Sequence, residues 1–329
     1  MNIGPYTLNS NILLAPMAGI TDTVYRKICM QLGAGATVAE MLTSDISMWK
    51  SAKSSERLIR PSDPEPRIVQ IAGTAPNMMA MAAQVCVDKG AQIIDINMGC
   101  PAKKVCKKMA GSALLENENV VAKILEAVVN AIDVPVTLKM RTGVSPQKRN
   151  AVRIARLAES IGIQALAIHG RTRQCLYRGE AEFETIKNVK NVVDIPVIAN
   201  GNINSPEIAK KILAFTEANA IMIGRAAQGN PWIFNQVNYL IKNNKKLPTP
   251  SLEEIENVMQ THLDGLYVHY GSEKGVRVAR KHIAWYLKKF TSYAMFKNVL
   301  LQTDNAMQQQ KLLKEFFKYS QADNRELAA

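Results

Sequence analysis

Cys100 is the residue of this sequence best suited to proton transfer. It follows the apolar segment Ile93–Asn97 after two intervening residues, and Pro101 restricts the backbone directly after it. A thiol with an ordinary pKa of about 8.5 is protonated at neutral pH and can donate its proton. The neighbouring Lys103 and Lys104 could instead lower that pKa and produce a nucleophilic thiolate. The sequence therefore predicts a reactive cysteine here, and it leaves both forms of the thiol open.

Cys106 is a rival for the same role, because it lies six residues further along the chain. A buried and inert thiol is the usual state of an isolated cysteine. The position of Cys100 at the mouth of a predicted strand, with proline next to it, favours Cys100 as the functional residue.

Other apolar segments of the chain also end in polar or glycine-containing groups. A buried amide or ammonium at such a position costs free energy unless it has a partner, so the repeated pattern favours one shared pocket over isolated core residues. The residues at or just after these ends are Pro16, Met17, Ala18, Glu40, Gln70, Asn97, Lys139, Arg141, His169, Arg171, Asn200, Gly201, Asn202, Gly224 and Arg225.

The segments that end in these residues are short and rich in β-branched side chains, which is typical of buried parallel strands. They begin about 20 to 40 residues apart, with amphipathic stretches between them. Eight such units predict an α/β protein with a (β/α)8 TIM barrel. A doubly wound sheet would normally carry a Gly-rich turn after its first strand, and Pro16–Gly19 does not match one. The predicted strands are Ile12–Ala15, Ala36–Ala39, Ile68–Ile71, Ile93–Asn97, Val136–Lys139, Ala165–His169, Val197–Asn200 and Ala220–Ile223, and the predicted helices include Asn77–Lys89, Asn117–Ala131, Gln147–Ser160 and Pro206–Leu213.

The chain changes character after the eighth unit. Residues 243–250 are polar and basic and contain two prolines, which is typical of a linker. From Leu252 to about Phe317 the apolar residues recur at helical spacing. We therefore expect a catalytic barrel over residues 1–242 and a smaller all-helical domain over residues 243–329.

The last two barrel segments predict a phosphate site. Gly201 and Gly224 would let the main chain approach an anion, and Arg225 opens a short helical segment, although both glycines could simply turn the chain. A phosphate at this edge together with Lys139 in the interior suggests FMN, because reduced flavin carries negative charge that a lysine can stabilise. The amide of Gln70 suits the pyrimidine edge of the flavin ring. These residues predict an FMN-dependent reductase.

The composition limits the class of protein. The chain has 329 residues, of which 47% are hydrophobic and 21% charged, as in ordinary globular proteins. Its formal net charge of +13 favours a polyanionic partner such as nucleic acid, although many basic proteins bind none. No apolar run approaches the roughly 20 residues of a membrane span, and the N-terminus does not resemble a signal peptide. Five cysteines without a Cys-x-x-Cys pair favour a reducing cytoplasm over disulfides or a metal site.

The segment Ile93–Pro101 resembles the signature of the tRNA-dihydrouridine synthases. The resemblance extends over the barrel and most of the C-terminal region, it is closest to the bacterial B type, and the motifs are specific as a set. The other segments that resemble the family, in the same order, are Ala15–Asp22, Leu138–Gly143, His169–Thr172, Ile198–Gly201 and Met222–Ala226.

The resemblance implies an FMN enzyme that reduces the C5–C6 double bond of a tRNA uridine, with NADPH as the usual reductant and position 17 of the D-loop as the target. Cys100 would be the proton donor. Asn202 departs from the Asp expected after Asn-Gly, and a backbone contact there would survive this change whereas a carboxylate role would not. The residues that would hold a tightly bound FMN are Pro16, Met17, Ala18, Gln70, Lys139, His169, Asn200, Gly201, Asn202, Gly224 and Arg225.

A basic segment predicts where tRNA is held. Lys274–Lys289 contains six basic residues and no acidic one, and helical spacing puts Lys274, Arg277 and Lys281 on one face. A solvated helix face is the alternative. The target base must leave its stack to reach the flavin. We expect the remaining substrate contacts from Asn97, Lys103, Lys104, Arg141, Arg171 and Arg178, and we expect no obligate protein partner.

Two other functions remain open from the sequence. An FMN barrel that acts on a free pyrimidine or another small enone would share the pocket but would not need a basic helical domain. A non-catalytic RNA-binding protein would use the basic residues but would bind no flavin.

Overall fold

The computed structural model describes residues 1–106 and 109–322, apart from the side chains of residues 52, 53, 103 and 104. In this part of the chain one sheet contains nine strands, and every pairing in it is parallel. In order of pairing the strands are Ala36–Thr37, Ile12–Leu14, Ala220–Ile223, Val197–Asn200, Leu166–His169, Val136–Arg141, Ile93–Met98, Ile68–Ala72 and Leu42–Thr43.

The two edges of this sheet belong to one interrupted strand, which closes the barrel. Val38 forms a parallel bridge with Ile68, and the backbone N–H of Ala39 donates to the carbonyl of Ile68 at 3.0 Å. The strand predicted over Ala36–Ala39 is therefore broken after Thr37, because the chain changes neighbour at this point. The predicted (β/α)8 barrel is confirmed.

The interior of the barrel is layered along the strands. Mostly apolar side chains, such as Leu13, Ile198 and Met222, make up the layer nearer the amino-terminal ends of the strands, which also contains Asp95 and Thr137. Side chains alternate in direction along a strand, so the inward-facing residue two positions further on belongs to the next layer. That next layer carries buried polar groups, among them Asn97 and Lys139. The apolar layer thus forms a floor beneath the polar end of the barrel.

The helices between the strands follow the predicted order, with one difference. The helix predicted over Gln147–Ser160 begins only at Ala151, because Gly143–Ser145 and Lys148–Arg149 form an antiparallel hairpin before it. In the first 245 residues the helices are Thr23–Gln31, Ala52–Ser55, Pro76–Asp88, Lys103–Cys106, Glu118–Val129, Ala151–Ile161, Glu184–Lys190, Pro206–Thr216 and Ile233–Asn243.

Short polar residues begin several of these helices. The side chain of Asp22 accepts from the backbone N–H of Tyr25, and Ser205 accepts from Ile208 with Pro206 in the first turn. These caps satisfy backbone donors that have no partner inside the helix. They also end the loops that leave the carboxyl ends of the strands, where the polar residues collect.

The chain divides into two compact units, residues 1–224 with 234–245, and residues 225–233 with 246–329. The second unit is helical, and a capping box of Ser251 and Glu254 begins its first long helix. No helix of the described residues is long and apolar enough to cross a membrane. The functional division at residues 242 and 243 stays a prediction. The long helices of the second unit are Leu252–Tyr270, Ser272–Leu287, Tyr293–Gln302 and Ala306–Ala322.

Candidate active site

Hydrogen bonds on both sides hold the backbone of Cys100, which follows the strand Ile93–Met98. The N–H of Cys100 donates to Oδ1 of Asn97 at 3.0 Å, and the N–H of Gly99 donates to the same oxygen at 3.2 Å. The carbonyl of Cys100 accepts from the backbone N–H of Ser112 at 3.0 Å and from its Oγ at 2.9 Å. The backbone that carries the thiol is therefore fixed by specific contacts.

Arg141 holds the same loop from the neighbouring strand. Its Nε donates to the carbonyl of Gly99 at 2.8 Å, and its Nη1 donates to the carbonyls of Thr172 at 2.8 Å and Leu176 at 2.6 Å. The guanidinium carbon lies 5.3 Å from the ring centre of Tyr177, and Arg141 is only 2% exposed. Arg141 thus joins two loops at the mouth of the barrel, and its predicted contact with substrate stays a prediction.

A chain of side-chain hydrogen bonds runs inward from Asn97. Nδ2 of Asn97 donates to Oε1 of Gln70 at 2.7 Å, and Nε2 of Gln70 donates to Oδ2 of Asp95 at 2.7 Å. Oδ1 of Asp95 accepts from Oγ1 of Thr137 at 2.7 Å. Each of these four side chains is buried. These hydrogen bonds connect the loop of Cys100 to a carboxyl group in the barrel interior.

Asn200 organises the opposite side of the polar layer. Its Oδ1 accepts from Nζ of Lys139 at 3.1 Å and lies 2.8 Å from Nδ1 of His169. Its Nδ2 donates to the carbonyl of Met222 at 2.7 Å, which fixes the orientation of the amide. Nε2 of His169 lies 3.2 Å from Nη1 of Arg171, a group that can only donate. Nε2 is therefore the acceptor, and Nδ1 carries the hydrogen.

Burial controls the charges in this layer. It lowers the pKa of Lys139 to about 8, although the carboxylate of Asp95 opposes the shift. Burial, together with the charges of Lys139 and Arg141, lowers the pKa of His169 to about 2. At neutral pH the lysine is therefore largely charged while the imidazole is neutral. Among the described residues, Asn200 is the hydrogen-bond partner of the lysine, so N–H groups of the ammonium remain for a ligand.

Burial also raises the pKa of Cys100, which keeps its thiol protonated. Sγ of Cys106 lies 3.6 Å from the carbonyl oxygen of Cys100 and 3.7 Å from Oγ of Ser112. The side chains of Lys103 and Lys104, which could lower the pKa of the thiol, lie outside the described part of the structure. The protonated form of Cys100 is the one that this environment favours.

Glu40 links the ends of the first two strands. It accepts from the N–H of Gly19 at 2.6 Å and pairs with Arg57 at 2.9 Å. The N–H of Met17 donates to Oγ1 of Thr21 at 2.9 Å, which folds the same loop back on itself. This loop carries the residues predicted to contact flavin, of which Pro16 and Met17 are half-buried and Ala18 is exposed.

Packing and backbone conformation constrain the residues of the predicted phosphate site. Gly201 has φ +131°, and a Cβ there would lie 2.7 Å from the Cβ of Ala181, so this position requires glycine. Asn202 has φ 42°, and its side chain accepts from Arg171 and donates to Glu180. An aspartate at residue 202 could not make the second contact as a donor. Asparagine is thus consistent with the local contacts.

Gly224 and Arg225 follow the last barrel strand, as predicted. A Cβ on Gly224 would lie 3.6 Å from Cβ of Ala15 and 3.7 Å from Sδ of Met17, which are ordinary contacts. Arg225 is exposed and begins the short 3-10 helix Arg225–Ala227. The predicted helical segment after the last strand is therefore present.

The predicted basic face lies on the helix Ser272–Leu287. Arg277 is exposed and Lys274 and Lys281 are half-buried, whereas Val276, Ile283 and Leu287 are fully buried. Arg280 points elsewhere, since it pairs with Asp304 at 2.6 Å. The structure thus separates a basic face from an apolar face on this helix.

Reasoning from the sequence missed the roles of Asp95 and Tyr177. Asp95 interrupts an apolar segment, which was a usable signal, but its partners come from two other strands. Tyr177 is 55% exposed, and its ring meets that of His169 edge-on with centroids 6.3 Å apart.

Among the described residues, no group of three or more His, Cys, Asp or Glu could hold a metal ion.

Comparisons with known proteins agree with this arrangement. A family model described as dihydrouridine synthase matches residues 13–322. The tRNA-dihydrouridine synthase B of Pseudomonas aeruginosa is 52% identical over 329 residues, covering 100% of this chain and 99% of that protein. The protein of the same name from Pseudomonas syringae pv. tomato is 53% identical over 317 residues, covering 96% of this chain and 94% of that protein. That from Salmonella typhimurium is 50% identical over 317 residues, covering 96% of this chain and 99% of that protein.

Solved structures share the fold at low identity. A 2-naphthoyl-CoA reductase complex has a TM-score of 0.54 at 14% identity, covering 72% of this chain and 51% of its own. A 6-hydroxypseudooxynicotine amine oxidase from Pseudomonas geniculata has a TM-score of 0.54 at 12% identity, covering 79% of this chain and 52% of its own. The chain thus spans about half the length of these two proteins, and the likeness concerns the fold alone.

Proposed function

The chain belongs to the dihydrouridine synthase family, and we propose from this premise that it reduces the C5–C6 double bond of a uridine in tRNA, with FMN as cofactor and Cys100 as proton donor. This activity makes the chain an oxidoreductase that acts on a CH–CH bond. The observation that carries the proposal is the backbone of Cys100, which hydrogen bonds hold at the polar end of a barrel that also buries Lys139. Burial favours the protonated form of its thiol.

The residues at this end of the barrel fit a flavin. Lys139 is a buried ammonium with N–H groups left over after its bond to Asn200, so an anionic ring edge would satisfy it. Gln70 uses one N–H and one lone pair within the protein and keeps one of each for a ligand. The cofactor phosphate is assigned to the main chain at Gly201 and Gly224 and to Arg225, which begins a short helical segment after the last strand. We assign to FMN binding the residues Pro16, Met17, Ala18, Gln70, Lys139, His169, Asn200, Gly201, Asn202, Gly224 and Arg225.

When bound, FMN supplies a hydride to C6 of the uracil. The negative charge that develops at C5 and O4 of the base must then be neutralised by a proton. The Cys100 thiol gives this proton to C5, so the C5–C6 double bond becomes a single bond with one new hydrogen on each carbon. The thiol then regains a proton from solvent. A positioned general acid contributes about 10² to 10⁴ in rate.

Other residues hold the reactants in place. Lys139 stabilises negative charge on the reduced cofactor, and neutral His169 and Asn200 orient the lysine. We assign Asn97, Arg141, Arg171 and Arg178 to contacts with the flipped base and its neighbours, together with Lys103 and Lys104. Arg141 and Arg171 are buried. Their positive charge would therefore act on the substrate mainly through the electric field, and their hydrogen bonds would hold the surrounding loops in place.

The finer assignments follow the same proposal. NADPH is the reductant, and position 17 of the D-loop is the target, by analogy with the B-type relatives. The residues 243–329 form the tRNA-binding domain, with Lys274, Arg277 and Lys281 on its basic face. Cysteines that are free in the described structure are consistent with a cytoplasmic location.

A direct experiment separates this proposal from its rivals. The purified protein is incubated with NADPH and with either tRNA that lacks dihydrouridine or free uridine, and the nucleosides are analysed by mass spectrometry. We expect a gain of two hydrogens at one D-loop uridine of tRNA and much slower reduction of free uridine. Equal activity on free uridine would indicate a small-molecule reductase. Protein that purifies without flavin absorbance and reduces neither would indicate a binding protein.

A further inference from the structure

Asp95 takes no part in the proposed reaction, but both of its carboxylate oxygens accept hydrogen bonds from other side chains. It lies within the strand Ile93–Met98 and is 4% exposed. Gln70, from one neighbouring strand, donates to its Oδ2, and Thr137, from the other, donates to its Oδ1, both at 2.7 Å. The charged group that acts on it is Lys139. Asp95 therefore sits at the meeting point of three strands.

The hydrogen bonds between Cys100 and Asp95 all point the same way. The N–H of Cys100 donates to Asn97, Asn97 donates to Gln70, and Gln70 donates to Asp95. Burial raises the pKa of Asp95 to about 6, which leaves the carboxyl ionised at neutral pH. A carboxylate accepts and never donates, so Asp95 is the acceptor that terminates the chain.

The direction of these hydrogen bonds depends on the acceptor at Asp95. Without it, the Nε2 donor of Gln70 would remain buried with no partner, because Gln70 is 1% exposed. The amide would then turn toward another acceptor and withdraw its Oε1 from Asn97. Asn97 would in turn lose the contact that keeps its Oδ1 facing the N–H groups of Gly99 and Cys100. A change at Asp95 is thus transmitted to the loop of the thiol.

We propose that Asp95 is a positioning residue for the proton donor, which acts through Gln70 and Asn97 to hold the backbone of Cys100 where its thiol meets C5 of the base. The functional part of this inference rests on the proposed role of Cys100. The positional part concerns contacts within the protein and can be tested without turnover.

Three nearly isosteric variants test the direction of the hydrogen bonds between Asp95 and Cys100. In Asp95→Asn the amide oxygen still accepts from Gln70, and the new amide nitrogen can donate to the Thr137 hydroxyl. In Thr137→Val the carboxylate still accepts from Gln70. In the double variant one buried amide nitrogen is left without an acceptor. We expect the double variant to lose at least 5-fold more turnover than the product of the two single effects.

Asp95→Leu removes the acceptor altogether, and we expect it to lower kcat for tRNA reduction by at least 30-fold. The KM for tRNA should change by less than 3-fold, because the basic surface is untouched. Asp95→Asn is the matched control, because it loses the same carboxylate charge beside Lys139 but keeps an acceptor for Gln70. Reduction of the flavin by NADPH should therefore be similar in Asp95→Leu and Asp95→Asn, whereas tRNA-dependent reoxidation should be slower in Asp95→Leu. The isosteric double variant keeps the test decisive if Asp95→Leu fails to fold.

Thiol alkylation gives a readout that does not depend on activity. Each protein is treated with iodoacetamide, and the modified fraction of Cys100, Cys106 and Cys175 is followed by peptide mass spectrometry. We expect the rate at Cys100 to change at least 5-fold in Asp95→Leu and in the double variant, while the rates at the other two cysteines stay near wild type.

The outcomes distinguish the inference from the function on which it rests. The positioning role would be overturned if the loss of turnover in the double variant equalled the product of the single losses and the alkylation rate at Cys100 stayed unchanged. Equal changes at all three cysteines would show general loosening and would also overturn it. If the rate at Cys100 changes as expected while wild-type protein forms no dihydrouridine, the positional inference stands and the proposed function fails.

Discussion

Nη1 of Arg171 lies 3.2 Å from Nε2 of His169, and this contact assigns the imidazole hydrogen to Nδ1. Nδ1 then donates to Asn200 at 2.8 Å. Both ring nitrogens are therefore engaged with protein groups, and the ring is neutral. His169 cannot deliver a proton to a base in this state, so the acid role in the barrel falls to a different group, for which Cys100 is the candidate.

His169 should not contribute to the pH dependence of the reaction between pH 5.5 and 8. Because burial and neighbouring charges lower the pKa of His169 to about 2, the imidazole stays neutral from pH 5.5 to 8. Any step in the rate of tRNA-dependent flavin reoxidation near pH 6.5, the ordinary pKa of histidine, should therefore persist in His169→Asn, because Asp95 titrates in the same range. A step there that disappears in His169→Asn would contradict the assignment. The rate is measured in single turnover with pre-reduced protein.

Lys139→Met removes the buried positive charge of the polar layer. Because an ammonium placed beside developing negative charge stabilises it, we expect flavin reduction by NADPH to slow by about 10- to 100-fold. The exposed Lys123 on the helix Glu118–Val129 gives a control, and the Lys123→Met protein should be reduced by NADPH at the wild-type rate. Stopped-flow absorbance measures both rates. Equal rates in the two variants would exclude an electrostatic role for Lys139.

The basic face of the helix Ser272–Leu287 should carry tRNA affinity. Changing Lys274, Arg277 and Lys281 together to Ala removes three cations, and we expect Kd to rise about 10-fold or more at roughly 0.1 M salt. The slope of log Kd against log salt should fall by roughly two to three in the same variant. Flavin content should not change, and filter binding over a salt series measures the effect.

A second set of exposed lysines in the same unit serves as the control for that experiment. Lys311, Lys314 and Lys318 lie exposed along the helix Ala306–Ala322. Their joint change to Ala removes the same charge, so a general loss of positive potential would weaken tRNA binding equally in both triple variants. A larger effect at residues 274, 277 and 281 identifies that face, and an equal effect argues against it.

The helical unit should lose stability in acid because of its buried histidines. His262 is fully buried against His282, with ring centroids 4.5 Å apart, and burial lowers the pKa of His262 to about 3. The unfolded chain, with a histidine pKa of about 6.5, binds the proton first as pH falls. The free energy of unfolding therefore has its full value above pH 6.5 and decreases below it. The decrease at pH 5 is about 2 kcal/mol for His262 alone.

Hydrogen exchange measures this loss locally. The opening free energy of amides in Leu252–Tyr270 and Ser272–Leu287 should fall between pH 7 and pH 5. His262→Leu should reduce that fall by about 2 kcal/mol, whereas His269→Leu, a change at a half-buried position on the same helix, should not. An unchanged pH dependence in His262→Leu would refute the account.

The barrel was predictable because its strands are short runs of β-branched residues with polar ends, and each of the eight predicted strands has an observed strand within a few residues of its position. The break in the second strand was not predictable, since Ala36–Ala39 contains no Gly, Pro or charged residue and only closure onto Ile68 interrupts it. The hairpin before Ala151 was also missed, because its few residues fit the helical spacing that follows.

The candidate site was predictable in its members but less so in their contacts. Residue type and position at a strand end indicated Cys100, Lys139 and Asn200. The neutral state of His169 and the terminal acceptor role of Asp95 depend on partners from other strands, which no local pattern reveals. Arg141 and Arg171 were expected as substrate contacts from their charge, and their bonds to loop carbonyls follow from tertiary packing alone.

The most direct test of the account compares two cysteine variants in single turnover. Pre-reduced wild-type protein, Cys100→Ser and Cys106→Ser are mixed with tRNA that lacks dihydrouridine, and flavin reoxidation and dihydrouridine are followed together. We predict that all three proteins keep their flavin, that Cys106→Ser reacts like wild type, and that Cys100→Ser is slower by about 10² or more. Wild-type rates in Cys100→Ser, or a loss confined to Cys106→Ser, would contradict the assignment of the proton donor.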